Sequence, residues 1–340
     1  MTIGVLTAGG DCPGLNAAIR GVVARATADG AQVLGIESGW QGLMANEIRP
    51  ITRDDVRGIL PLGGTILGTS RTDPYVQGEG YPSIAPAIEK WGIETLIVIG
   101  GDGSLRSASQ LEREGPVNVI GIPKTIDNDV GDTDYTLGFH TAVQIVVDAL
   151  DRLTTTAESH NRVMVVEVMG RTTGWIAAAA GIAGGAEAIL VPEAEIDYAD
   201  LASRIVKRHK VGHAYSMVVV AEGAPGPSGD MATRGEDAFG FEMLGGVGDQ
   251  VASSLSEQTG FETRVMTLGY LQRGGTPTAF DRLLGTRFGV KAAELALEGR
   301  SGLMVALKGR DIVAVDMEQA CSEIRDLGQD LVRTASWFVV

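Results

Sequence analysis

The chain has 340 residues, of which 44% are hydrophobic and 21% charged, with a formal net charge of -15. Such a length suits one large or two medium domains with a substantial core, and such acidity excludes nucleic acid and anionic membrane as partners. Two cysteines, Cys12 and Cys321, make no disulfide framework, no apolar run nears the ~20 residues of a membrane span, and the amino terminus has no basic leader, so a cytoplasmic protein is expected.

In chain order, short β-branched runs recur and end in glycine or a polar turn. They are IGVLTAGG from Ile3, QVLGIESG from Gln32, TLIVIGGDG from Thr95, VNVIGIPKT from Val117, RVMVVEVMGR from Arg162, AILVPE from Ala188, SMVVVAEG from Ser216 and RVMTLGY from Arg264. Helical periodicity lies between them, over 16–28, 141–153, 200–209 and 280–297. Strands alternating with helices predict parallel sheets covered on both faces, with ligands beyond the carboxyl ends of the strands. The stretch 223–248, rich in Gly, Pro and charge, reads as a surface insertion.

Chemistry concentrates at the strand tips. Thr7 to Asn16 runs a strand through Gly9 and Gly10 into a helix, an arrangement whose N–H groups can cradle a phosphate or simply turn the chain. In IGGDGS, Asp102 can hold a divalent cation or cap a helix, and Gly103 and Ser104 allow a ligand close to the backbone. In PKTIDND, Lys124, Thr125, Asp127 and Asp129 crowd seven residues, enough to bind a metal and accept a proton from an alcohol. Asx turns are the plainer alternative. Arginines 71, 162, 171, 264 and 273 mostly flank strand ends; in so acidic a chain they are candidate phosphate clamps, although each alone suits a surface ion pair. No HExxH, GxSxG, CxxC or P-loop occurs. No GxGxxG with a following acidic residue supports a nicotinamide-dependent dehydrogenase.

Over nearly its whole length the sequence resembles the 6-phosphofructokinase family, through GVLTAGGDCPGLNAAIRGVV, GGTILGTSR, IGGDGS, PKTIDND, TDYTLGF, SHNRVMVVEVMGR, AEG and TRVMTLGYLQRGGTPTAFDR. The resemblance implies a phosphofructokinase fold, two doubly wound Rossmann-like α/β domains. Residues 1–137 plus 274–305 would form the phosphoryl-donor domain. Residues 138–273 plus 306–340, including a helical tail, would bind fructose 6-phosphate. It also implies roles. Asp127 deprotonates the sugar 1-hydroxyl, Thr125 and Asp129 orient that hydroxyl, and Arg171 neutralises the migrating phosphoryl group. Asp102 holds Mg²⁺. Gly10, Arg71, Thr72, Gly103, Ser104 and Lys124 line the donor site. Met169, Gly170, Glu222 and, through its phenol, Tyr270 contact the sugar. Arg273 binds the 6-phosphate, and Arg162 and Arg264 reach it from a neighbouring subunit, which implies a homotetramer.

Two departures matter. In the family, ATP users have Gly after the GGD aspartate, whereas pyrophosphate users have Asp there and Lys before the TIDND threonine. Here Gly103 stands with Lys124, and ATP is the expected donor, with a diphosphate-dependent phosphotransferase as the alternative. A non-catalytic sugar-phosphate sensor is the rival of another class, and it leaves Asp102 and Asp127 without a purpose. Basic effector contacts of regulated relatives are replaced by Thr154 and Val211, with His213 at another, while Arg20 and Glu187 are kept. Regulation by ADP or phosphoenolpyruvate is therefore expected to be weak or altered.

Overall fold

A computed structural model describes residues 1–236 and 242–336. The chain divides into two units, one of residues 1–141 and 273–325 and the other of 142–272 and 326–340. It passes between them three times.

The first unit is built on an eight-stranded sheet, counted among the described residues. Its middle is four parallel strands, in the order Asn118–Thr125, Thr95–Gly100, Thr2–Thr7, Gln32–Ile36. Every residue of Thr95–Gly100 is buried, as a continuous apolar strand covered on both faces must be. A short strand Ile48–Pro50 closes one edge antiparallel. At the other edge Leu303–Lys308 pairs parallel to the central sheet and Asp311–Asp316 returns antiparallel to it.

That last hairpin corrects one expectation: residues 306–325 belong to the first unit, not the second, and the helical tail follows the hairpin, as Met317–Ala320 and Gln329–Ser336. The local signal is visible in LMVALKGRDIVAVD, two β-rich runs around Gly309-Arg310, with Gly309 at φ 61° as a tight hairpin turn requires.

Helix Leu15–Ala28 packs on helix Ala279–Leu297, although some 260 positions separate them in sequence. The contact is backbone on backbone: a Cβ on Gly289 would lie 2.1 Å from the Ala18 carbonyl oxygen, and one on Gly21 2.6 Å from that of Thr286. Beside it sits a carboxylate that sequence reasoning passed over. Asp281, fully buried, accepts from the backbone N–H groups of Gly138 (2.9 Å) and Thr141 (2.7 Å) and so caps the start of helix Phe139–His160. Burial raises its pKa despite these donors. Asp281→Ala is expected to leave those donors unmet and cost about 2–3 kcal/mol, read as a lower urea midpoint.

The second unit carries a four-stranded parallel sheet, ordered Thr263–Thr267, Val163–Val168, Ser216–Ala221, Ala188–Leu190. Glu167, on the second of these, is 3% exposed and accepts from Gly246 N (3.0 Å) and Gly248 N (2.7 Å), which caps helix Val247–Thr259 from 80 residues away in sequence. The expected insertion at 223–248 has regular structure among its described residues. Thr233–Glu236 pairs antiparallel with Glu242–Leu244, and Pro225 bridges Met231. Residues 237–241 lie outside the described residues. No helix among the described residues is long and apolar enough to cross a membrane.

Candidate active site

In the first unit the strands Thr2–Thr7, Thr95–Gly100 and Asn118–Thr125 run parallel, so their carboxyl ends bring three loops to one edge. The first loop turns at Gly9 (φ 81°) and enters helix Leu15–Ala28 through Gly14. It is pinned to the Arg71 segment, since Gly9 N donates to the Ser70 carbonyl (2.8 Å) and Thr69 Oγ1 to the Gly9 carbonyl (2.7 Å). Arg71 itself is exposed and Thr72 half-buried. Asp73 accepts from Ser107 Oγ at 2.8 Å, which ties this segment to helix Asp102–Glu114.

That helix places Asp102, Gly103 and Ser104 in its first turn, where the aligned peptide dipoles favour an anion. A Cβ built at Gly103 meets no atom within 4 Å, so the space in front of this turn is open. Asp102 pairs with Arg106 at 2.7 Å. Among the described residues no group of three or more His, Cys, Asp or Glu could hold a metal. One carboxylate at a helix start still fits Mg²⁺, which keeps most of its water and binds through one or two carboxylates and the phosphates of its substrate.

The third loop carries the densest charge. Lys124 is buried and its Nζ donates to the Gly10 carbonyl at 2.6 Å, so an ammonium sits directly behind the glycine turn. Burial pushes its pKa down, and the adjacent Arg273 acts in the same direction. Arg273 Nη1 donates to the Asp11 carbonyl (3.3 Å) and would lie 2.7 Å from a Cβ on Gly10. Lys124, Gly10 and Arg273 are thus one cluster, and Arg273, expected in the second domain, belongs to the first unit. Cys12 lies within it too; burial pushes its thiol up to about 12, which keeps it an inert donor to the Leu137 carbonyl.

Asp127 and Asp129 are 3% and 5% exposed. Asp127 N donates to Thr125 Oγ1 (3.1 Å), and between the two carboxylates Asn128 adopts φ 54°. Asn128 Oδ1 accepts from Thr136 N (2.9 Å), and Thr136 Oγ1 donates to the Thr125 carbonyl (2.7 Å). The loop is therefore a closed network, not a simple Asx turn. Asn128 and Thr136 were invisible as site residues because their partners are backbone groups.

In the second unit the carboxyl end of strand Val163–Val168 leads into Met169, Gly170 and Arg171. Met169 N donates to Gln272 Oε1 (3.3 Å) and Arg171 N to Glu222 Oε1 (3.0 Å), so Met169, Gly170, Arg171 and Glu222 share one corner. Arg171 is exposed with φ 51°, and the chain at Gly223 passes so close that a Cβ there would lie 2.0 Å from the Arg171 carbonyl oxygen. Tyr270, in the 3-10 turn Gly269–Arg273, is 73% exposed.

Arg162 and Arg264 are not at this corner. Arg162 precedes the first residue of strand Val163–Val168, and Arg264 is in register with Met164. Both face Glu262, Arg162 at 3.0 Å, and these cations hold the Glu262 carboxyl below the usual carboxylate range. Six strand residues, about 20 Å, separate Arg162 from Arg171 and five, about 17 Å, separate Arg264 from it, beyond an arginine's reach. Glu187, kept from the effector contacts, is half-buried and closed upon Arg208 (2.7 Å) and Met217 N (2.6 Å).

The phosphofructokinase family model matches residues 2–296. The chain belongs to the phosphofructokinase family. It is 49% identical, over 99% of both chains, to a pyrophosphate–fructose 6-phosphate 1-phosphotransferase of Amycolatopsis methanolica. It is 46% identical, over 98% of both, to an ATP-dependent 6-phosphofructokinase of Corynebacterium efficiens. Its fold matches phosphofructokinase of Saccharomyces cerevisiae with a TM-score of 0.81 at 32% identity, covering 94% of this chain and 45% of that one. This phosphofructokinase thus spans less than half of the yeast chain but nearly all of the bacterial relatives.

Proposed function

We propose that this phosphofructokinase transfers a phosphoryl group from ATP to the 1-hydroxyl of fructose 6-phosphate, as a glycolytic, Mg²⁺-dependent enzyme of the cytoplasm. The observation that carries the reading is the buried Asp127 on the same sheet edge as the Gly9–Gly10 turn and the Asp102–Ser104 helix start.

Phosphoryl transfer asks a protein for positioning and charge neutralisation more than for covalent chemistry. Asp127 accepts the hydroxyl proton as the oxygen–phosphorus bond forms, and Thr125 and Asp129 orient that hydroxyl. Asp102, with the donor phosphates and water, is the residue that would hold Mg²⁺. The ion, when bound, offsets negative charge on the donor. The helix start at Gly103 and Ser104 presents N–H groups to a phosphate, and Gly10, Arg71, Thr72 and Lys124 line the same site. Arg273 Nε is buried with no hydrogen-bond partner among the described residues, which supports an anionic ligand beside it. Met169, Gly170, Glu222 and Tyr270 are assigned to the sugar, and Arg171 to charge neutralisation on the migrating group. The distance of Arg162 and Arg264 from Arg171 supports their acting on the 6-phosphate of a neighbouring subunit in a homotetramer.

The open space before Gly103 favours ATP, because a nucleotide needs room beyond its β-phosphate. Lys124 behind the glycine turn, together with the Amycolatopsis relative, supports pyrophosphate as the second reading. Purified protein assayed separately with each donor decides between them. ATP is expected to give the higher kcat/KM; turnover with pyrophosphate alone reverses the assignment, and turnover with neither refutes the enzyme reading.

A further inference from the structure

The corrected placement of residues 306–325 gives them work at the site. The loop from Asp129 to Asp134 lies against this segment along its length. Val130 bridges Ile324, and Gly131 N donates to the Ala320 carbonyl at 3.0 Å. Gly131 admits that approach only without a side chain, since a Cβ would lie 2.7 Å from the same oxygen.

Arg325 closes the arrangement at both ends. Its backbone N–H donates to the Asp129 carbonyl at 2.8 Å. Its guanidinium Nη1 donates to the carbonyls of Thr133 (2.9 Å) and Asp134 (2.8 Å). The Asp134 carbonyl also receives Asn128 Nδ2 at 3.5 Å, and Asn128 is the residue held at φ 54° between the two carboxylates. Asparagine is one of the few L residues that enter that region readily, and the side-chain bonds of Asn128 to Thr136 N and the Asp134 carbonyl fix it there.

We infer that Arg325 is a positioning residue for the phosphoryl-transfer step, holding the loop that aims Asp127 at the sugar hydroxyl. The inference rests on the reading of Asp127 as the base. A guanidinium suits the task because its planar Nη1 holds two hydrogens in fixed directions, one for each carbonyl, whereas the donors of a lysine ammonium rotate freely on a flexible stem. The hydrogen bonds of Arg325 described above all go to the loop from Asp129 to Asp134, so its loss is expected to act on turnover more than on donor binding.

The test is a double-mutant cycle of Arg325→Lys and Asp127→Ala, with Arg325→Gln as a second variant should the first fold poorly. Rates are counted per mole of folded protein by circular dichroism. Arg325→Lys alone is expected to lower kcat about 10- to 100-fold, the scale on which small misplacements act, with the KM for ATP changed less than about 2-fold. In the Asp127→Ala background the same change should have almost no further effect on kcat, because the group it aims is gone. Additive losses, or a raised KM for ATP at unchanged kcat, would overturn the positioning role and leave the base assignment standing. Asp127→Ala turning over near the wild-type rate would remove the base assignment itself, and this inference with it.

Discussion

Asp127→Ala is expected to lower kcat by about 10²- to 10⁴-fold with little change in KM for either substrate, as measured by steady-state kinetics under saturating Mg²⁺ and donor. A sugar hydroxyl ionises far above neutral pH, so the proton must leave as the new bond forms, and a buried carboxylate is the acceptor at hand. Asp127 is 3% exposed and its neighbours fix the backbone on either side. A loss confined to kcat marks an interaction made chiefly in the transition state. Asp127→Asn, of nearly the same shape, separates charge from packing: if it retains most of the activity, the carboxylate is not the base.

Arg171→Ala is expected to cost about 10²- to 10³-fold in kcat, the range for removing one preorganised donor from a developing negative charge. Arg171 sits at φ 51° with its own N–H bonded to Glu222, so its backbone is set before any ligand arrives. Arg171→Lys keeps the charge and should recover only part of the loss, because the forked donors are missing. Equal activity in all three proteins would show that the side chain faces away from the reaction. Gly223 explains why the position holds, since any larger residue there would push on the Arg171 carbonyl.

Much of this was legible in the sequence because parallel α/β sheets put their ligand loops at strand tips. The runs that end at Gly10, Thr125, Arg171 and Gly223 are strands or the loops that directly follow them, and the run that ends at Gly103 passes from strand Thr95–Gly100 into the first turn of a helix. What escaped was non-local. Glu167 and Asp281 look like ordinary helix or strand residues, yet each serves helix donors 80 or more positions away. Arg325 likewise has no motif around it; its partners are carbonyls nearly 200 positions earlier, and carbonyls carry no sequence signature. The clustering of Arg273 with Gly10 and Lys124 is of the same kind. The hairpin at 303–316 is a different failure, because its two β-rich runs lie in plain view on either side of Gly309 and were passed over.

The glycine-seamed union of the Leu15–Ala28 and Ala279–Leu297 helices has a bearing on how the molecule is born. Residues 142–272 form an uninterrupted stretch that can collapse as soon as it leaves the ribosome. The amino-terminal segment of the other unit, residues 1–141, must wait for residues 273–325. At ordinary elongation rates that interval is roughly 10–40 s. During it the apolar strand edge at Asn118–Thr125 has no Leu303–Lys308 beside it, so a nascent chain stalled before residue 300 is the form a chaperone would meet.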